Sequence, residues 1–167
     1  NSITRASAVG VERIIVPAVG AQYFARVVKL ARDYPALYAA LGLHPIVIEE
    51  HTPTCVERLE QLLATRPKKV VAIGEIGLDG SSRCRPYFEL QKNIFKAIVE
   101  KCVGLGGRVL SIHSRAAAKE VLDILDVNPG FGTAVLHWFT DSPSVLRRAA
   151  DAGCWFSVGP TMMESAN

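Results

Sequence analysis

The sequence predicts an α/β fold built on a parallel sheet. Six short apolar runs recur along the 167 residues, and helical stretches fill the intervals between them. Most of the runs are continuously apolar instead of alternating, the pattern of strands covered on both faces. Repeated β-α alternation implies right-handed crossovers between parallel neighbours. A barrel and an open doubly wound sheet both satisfy that description. The length suits one domain with a sizeable core, taken as residues 1–167.

In chain order the runs are Arg13-Ile14-Ile15-Val16-Pro17-Ala18, Leu37-Tyr38-Ala39-Ala40-Leu41-Gly42, Val70-Val71-Ala72-Ile73-Gly74-Glu75, Val109-Leu110-Ser111-Ile112-His113, Ala134-Val135-Leu136-His137-Trp138-Phe139 and Cys154-Trp155-Phe156-Ser157-Val158-Gly159. Between the first two, residues 21–33 carry Phe24, Val27, Val28 and Ala31 at helical spacing. Thr54-Cys55-Val56-Glu57 reads as a capping box opening a helix to about Arg66. Residues 86–103 place Phe88, Ile94, Phe95, Ile98 and Val99 for a third helix, with Gly104 and Gly106-Gly107 as stop signals. Residues 115–126 put Val121, Leu122 and Leu125 on one face, and Ser142-Pro143 fits an N-cap with Pro at the first helical position of a helix closed by Gly153. A dinucleotide fold is disfavoured, because no G-x-G-x-x-G follows a strand and Gly74-Glu75-Ile76-Gly77 has the wrong spacing.

Composition excludes several classes. The chain is 49% hydrophobic and 21% charged, which is globular and not disordered. A net charge of +3 with scattered bases is no nucleic-acid footprint. Cys55, Cys84, Cys102 and Cys154 form no C-x-x-C pair, so they read as reduced thiols of a cytoplasmic protein. No apolar run approaches the roughly 20 residues of a membrane helix, and the first residues show no signal peptide.

The third, fourth and fifth runs end on Glu75, His113 and His137. In a parallel barrel the carboxyl ends of strands converge on one rim, so a carboxylate and two imidazoles are aimed at one mouth. These donor types suit zinc, manganese or another divalent cation, which acidifies a bound water and engages a phosphate oxygen. Singly, each residue also has a structural reading: a histidine hydrogen-bonded after a strand, a glutamate paired with an arginine. His44, in Gly42-Leu43-His44-Pro45, is open between substrate contact and loop shaping, and His51 is expected to be solvated. Asp79 is either a carboxylate acceptor behind a ligand histidine or a helix cap. Arg115 is either a bidentate phosphate ligand or a surface residue of a first helical turn. Trp138 and Phe139 read as core or rim packing, not as a base-stacking platform.

The motifs resemble one family. Gly74-Glu75-Ile76-Gly77-Leu78-Asp79 resembles the G-E-I/C-G-L-D motif of the TatD metal-dependent hydrolases, members of the amidohydrolase-like barrels. Ala40-Leu41-Gly42-Leu43-His44-Pro45 is similar to the family's A-x-G-x-H-P segment, Ile112-His113-Ser114-Arg115 to its H-x-R stretch, Val135-Leu136-His137-Trp138-Phe139 to its H-x-F stretch and Ser157-Val158-Gly159 to its S-x-G. Residues 106–115 and 154–160 look most like the branch encoded in Qat-type anti-phage defence operons, whose products have defence-operon partners. The resemblance implies a TIM-type (β/α) barrel that holds Mg, Mn or Zn ions and hydrolyses DNA phosphodiesters. It makes Glu75 a metal-bridging catalytic carboxylate, and His113 and His137 metal ligands. Family members also open on a strand carrying H-x-H and close on one carrying E-T-D or E-S-D. Neither occurs here, so the chain is expected to be a fragment truncated at both ends, with about six of eight strands and half of a metal site. Three functions follow: a DNase-like phosphodiesterase, a barrel hydrolase of esters or amides, and a non-catalytic subunit or pseudoenzyme.

Overall fold

The structure, a computed structural model, describes residues 2–164. A short helix α1 (Ser2–Ser7) leads into β1 (Ile14–Pro17), and five β-α steps follow. They comprise α2 (Phe24–Asp33), β2 (Leu37–Leu41), α3 (Pro53–Ala64), β3 (Val70–Gly77), α4 (Phe88–Gly104), β4 (Arg108–His113), α5 (Ala118–Asp126), β5 (Gly132–His137), α6 (Pro143–Asp151) and β6 (Trp155–Phe156), and α7 (Pro160–Glu164) closes the order. All six strands are parallel and lie in one sheet in the order β1-β2-β3-β4-β5-β6.

That monotonic order decides between the two architectures. Right-handed crossovers that always step the same way put every connecting helix on the same face of the sheet. A doubly wound sheet must reverse direction to cover both faces; this one never does, so it is an arc of a barrel. Leu110, Ile112, Ala134 and Leu136 alternate toward the helix-covered face along β4 and β5 and pack with Phe24, Phe95, Ile98, Val121 and Leu122 from the helices. Each such fully buried aliphatic or aromatic side chain contributes roughly 1.5–3 kcal/mol of transfer free energy. Burial of both strand faces, expected from the continuous runs, is only half realised. Ile15, Val71, Val109 and Trp155 remain exposed, because the helices cover the opposite face.

Several boundaries shift from the sequence reading for local reasons. The capping-box signal read at Thr54 moves two residues upstream: Thr52 is the N-cap and Pro53 occupies N1, and the Thr52 amide donates to Cys55 Sγ at 3.5 Å. Pro53 supplies the fixed φ that suits a first helical position, so Thr54 lies inside the helix. Ser142 caps α6 as expected, accepting from the Val145 amide at 3.4 Å. The fifth run stops as a strand at His137, because Trp138 adopts φ +46 and no strand continues through the left-handed region. The sixth run supplies only Trp155–Phe156. The four cysteines are free. Among the described residues no helix is long and apolar enough to cross a membrane.

Candidate metal centre

The parallel register brings the polar strand ends together. His113 pairs with His137 across β4 and β5, and Gly77 pairs with His113 across β3 and β4. Glu75 does not end its strand; β3 runs on to Gly77. Between the pairs Ile73↔Leu110 and Ile76↔Ile112, β3 carries two residues where β4 carries one. This is a β-bulge, a device that re-aims a side chain, and Glu75 sits in it. The same crossing demands glycine at 77, where φ is +127 and a β-carbon would lie 2.1 Å from the His113 carbonyl oxygen.

Glu75 is held between two imidazoles. His113 Nδ1 lies 3.0 Å from Glu75 Oε1, and His44 Nε2 lies 3.3 Å from the same oxygen. Burial by itself pushes the Glu75 carboxyl up, but hydrogen bonds from His113 and His44 outweigh it and bring the group down to about 2. On its far side His113 Nε2 lies 3.0 Å from Asp79 Oδ2, and Asp79 Oδ1 accepts from the Ser81 amide at 2.8 Å. A carboxylate thus faces each ring nitrogen, an arrangement that favours the protonated ring, in which both nitrogens donate. Burial alone would lower the His113 pKa; Glu75 and Asp79 together raise it above 6.5. Asp79 also feels burial first, which would raise its carboxyl, but Ser81 and His113 hold it below the usual range.

The loop that presents Asp79 is fixed by a residue the sequence reading passed over. Gln91, buried on α4, accepts from the Asp79 amide at 2.7 Å and donates to the carbonyls of Asp79 and Cys84. A glutamine on the apolar stripe of Phe88, Phe95, Ile98 and Cys102 was the available signal.

His44 combines loop shaping with a contact to the centre. Its Nδ1 accepts from the Ile46 amide at 3.0 Å and so caps the turn Pro45–Glu50, while Nε2 faces Glu75. A neutral imidazole that accepts at Nδ1 carries its proton on Nε2, so His44 is a donor to Glu75. His51, expected to be solvated, is buried: the short turn folds back and sets its Nε2 3.0 Å from the His44 carbonyl oxygen. Burial pushes its pKa down.

His137 lies further out. Its Nδ1 is 3.0 Å from Ser157 Oγ, which also accepts from the Trp138 amide at 3.1 Å. With His113 and Arg115 it lines a cleft of about 370 Å³. Arg115 is exposed on this cleft and has no acid partner among the described residues.

One atom from each of His44, Glu75 and His113 falls within a 4.8 Å span. Two adjacent ligands bound at about 2.1 Å in an octahedral shell lie about 3.0 Å apart, the separation of His113 Nδ1 from Glu75 Oε1. Nitrogen and carboxylate donors at that spacing fit a divalent cation, which would displace the Nδ1 proton.

Parallel strands in a barrel-like arc, offering a carboxylate flanked by imidazoles near their carboxyl rim, are an arrangement of the kind metal-dependent hydrolases use. The family model described as TatD related DNase matches residues 1–167, and the chain belongs to that family. It is 40% identical over 163 residues to the metal-dependent hydrolase YjjV of Escherichia coli strain K12, covering 96% of this chain and 61% of that protein. The crystal structure of YjjV superposes with a TM-score of 0.90 at 39% identity, with the same coverage of each chain. The chain is also 30% identical over 160 residues to a Salmonella typhimurium protein named 3'-5' ssDNA/RNA exonuclease TatD, covering 93% of this chain and 59% of that one. It thus spans about three-fifths of the length of these relatives.

Proposed function

We propose that the chain carries the central part of a phosphodiesterase site that acts on DNA or another nucleic acid. The observation that carries the reading is Glu75, an ionised carboxylate placed by a β-bulge between His44 and His113, with His113 itself lining a cleft together with His137 and Arg115. The name of the Salmonella relative supports the substrate class. The resemblance of residues 106–115 and 154–160 to the Qat branch supports a role in anti-phage defence, with partners from the same operon.

Glu75 Oε1, His113 Nδ1 and His137 are the groups that would hold a divalent cation. Bound there, Mg, Mn or Zn supplies Lewis-acid polarisation of the phosphoryl group and acidifies a water. The remaining work falls to the chain. Asp79 accepts from Nε2–H of His113 and keeps Nδ1 turned on Glu75, which fixes both tautomer and ring orientation. Ser157 does the same for His137 by occupying Nδ1, so that Nε2 is the ring nitrogen left for a ligand bond. His44 donates to Glu75 and keeps the carboxylate ionised. Arg115 offers a planar fork of donors to a phosphate at the mouth.

The test is release of nucleotides from DNA with Mg²⁺, Mn²⁺ or Zn²⁺ added to the metal-stripped protein. Glu75→Ala should abolish it, and activity untouched by that change overturns the assignment. Ester and amide substrates assayed under the same metal condition separate this reading from that of a barrel hydrolase with another substrate.

A further inference from the structure

Trp138 was expected to pack in the core or at the rim. Its neighbour Phe139 is buried, but Trp138 is 55% exposed. The indole stands at the cleft lined by His113, Arg115, His137 and Thr140. Its ring lies parallel to His137, with planes 4° apart and centroids at 5.9 Å.

This pose is built, not accidental. Trp138 has φ +46, a conformation that costs of order 1–3 kcal/mol for a non-glycine residue. Its amide is pinned by Ser157 Oγ, the atom that also orients His137. Gly159 makes room for the indole: a β-carbon there would lie 2.1 Å from Nε1. A strained backbone, a hydrogen-bonded hydroxyl and a glycine thus cooperate to hold a large aromatic face against solvent beside the metal ligands.

An aromatic face beside an exposed guanidinium matches the two halves of a nucleotide. Bases stack on aromatic rings whatever their sequence, while arginine takes the phosphate. Resting on the phosphodiesterase reading, we propose that Trp138 is a substrate-positioning residue that stacks an unpaired nucleobase while Arg115 holds an adjacent phosphate. Stacking on Trp138 requires a base freed from its pairing partner, so an end or a single strand enters this mouth in preference to the interior of a duplex.

The test compares affinities for two probes in metal-free buffer, where no cleavage occurs: a short single-stranded oligonucleotide and a strand of the same length made of abasic sites. The protein should bind the base-bearing strand more tightly. Trp138→Ala should weaken that binding about 5- to 150-fold and leave the abasic strand unaffected, and Trp138→Phe should retain most of the affinity. Equal losses on both strands, or no loss on either, overturn the stacking role. Equal binding of the two strands by the unaltered protein removes the stacking role and leaves the phosphodiesterase reading standing. Binding of neither strand removes both.

Discussion

Replacing Asp79 by Asn changes almost no volume, yet it sets two hydrogen bonds against each other. Asp79 accepts twice: Oδ1 from the Ser81 amide at 2.8 Å and Oδ2 from His113 Nε2 at 3.0 Å. The side chain is only 4% exposed, so water cannot substitute for a lost partner. An amide has one acceptor and one donor end. If its oxygen keeps Ser81, the NH₂ group faces Nε2, the ring must present a bare nitrogen there, and its proton moves to Nδ1. Nδ1 is the atom that faces Glu75, so the ligand position is blocked. If the amide turns over, His113 keeps its tautomer but two donors meet at Ser81, which costs about 1–3 kcal/mol. Either way the metal-competent state is disfavoured. Loss of such an outer partner typically lowers metal affinity about 10- to 100-fold, about 1.4–2.8 kcal/mol. Calorimetric titration of the metal-stripped protein with Zn²⁺ at fixed pH measures this directly. An Asp79→Asn variant that binds Zn²⁺ within about twofold of the parent would refute the placement of the ligand nitrogen at Nδ1.

Two further outcomes follow from the same geometry. Glu75 titrates at about 2 in the fold against an ordinary 4.5, so its contribution to stability is present above pH 4.5 and is lost as pH falls toward 2. His113 is raised above 6.5, so its contribution is complete below pH 6.5 and is lost as pH rises through its folded value. The metal-free protein should therefore melt highest between about pH 4.5 and 6.5, and His113→Asn should flatten the alkaline decline; a decline that persists unchanged in that variant contradicts the assignment. Gly77→Ala places a methyl 2.1 Å from the His113 carbonyl oxygen at φ +127. It should destabilise by about 2–4 kcal/mol in urea unfolding, and a loss below about 1 kcal/mol would show that β3 and β4 can part there without cost.

The succession of strands and helices was legible because burial on the helix-covered face imposes apolar runs, and caps such as Ser142-Pro143 carry their own chemistry. The strand-end position of His113 and His137 was legible because an apolar strand has little reason to end on a charge, whereas Glu75 lies two residues short of the end of β3. Three things were not. The bulge at Gly74-Glu75 leaves no mark in composition, since it is a mismatch of length between β3 and its neighbour. The burial of His51 depends on a turn that folds back onto His44, a tertiary contact invisible to local polarity. The exposure of Trp138 depends on one left-handed residue, which no hydrophobic pattern encodes. The exposed face of Val71 and Val109 shows the limit of pattern reading in the other direction: a continuous apolar run records a capacity for burial on both sides, not the presence of cover.

Strand order also has a temporal side. Every strand pairs with its neighbour in the chain, so paired residues are separated by only about 20 positions between Val135 and Trp155 and 37 between Ile73 and Leu110. Loop closure over such distances adds little entropy cost as the loops lengthen, and chains are made from the N-terminus. The sheet can therefore accrete unit by unit as the polypeptide emerges, and the polar residues of the rim arrive in the order His44, Glu75, His113, His137. Until β6 follows, His137 lacks the hydroxyl of Ser157 that orients it, so the shortest and last strand is the one that sets the final imidazole of the rim.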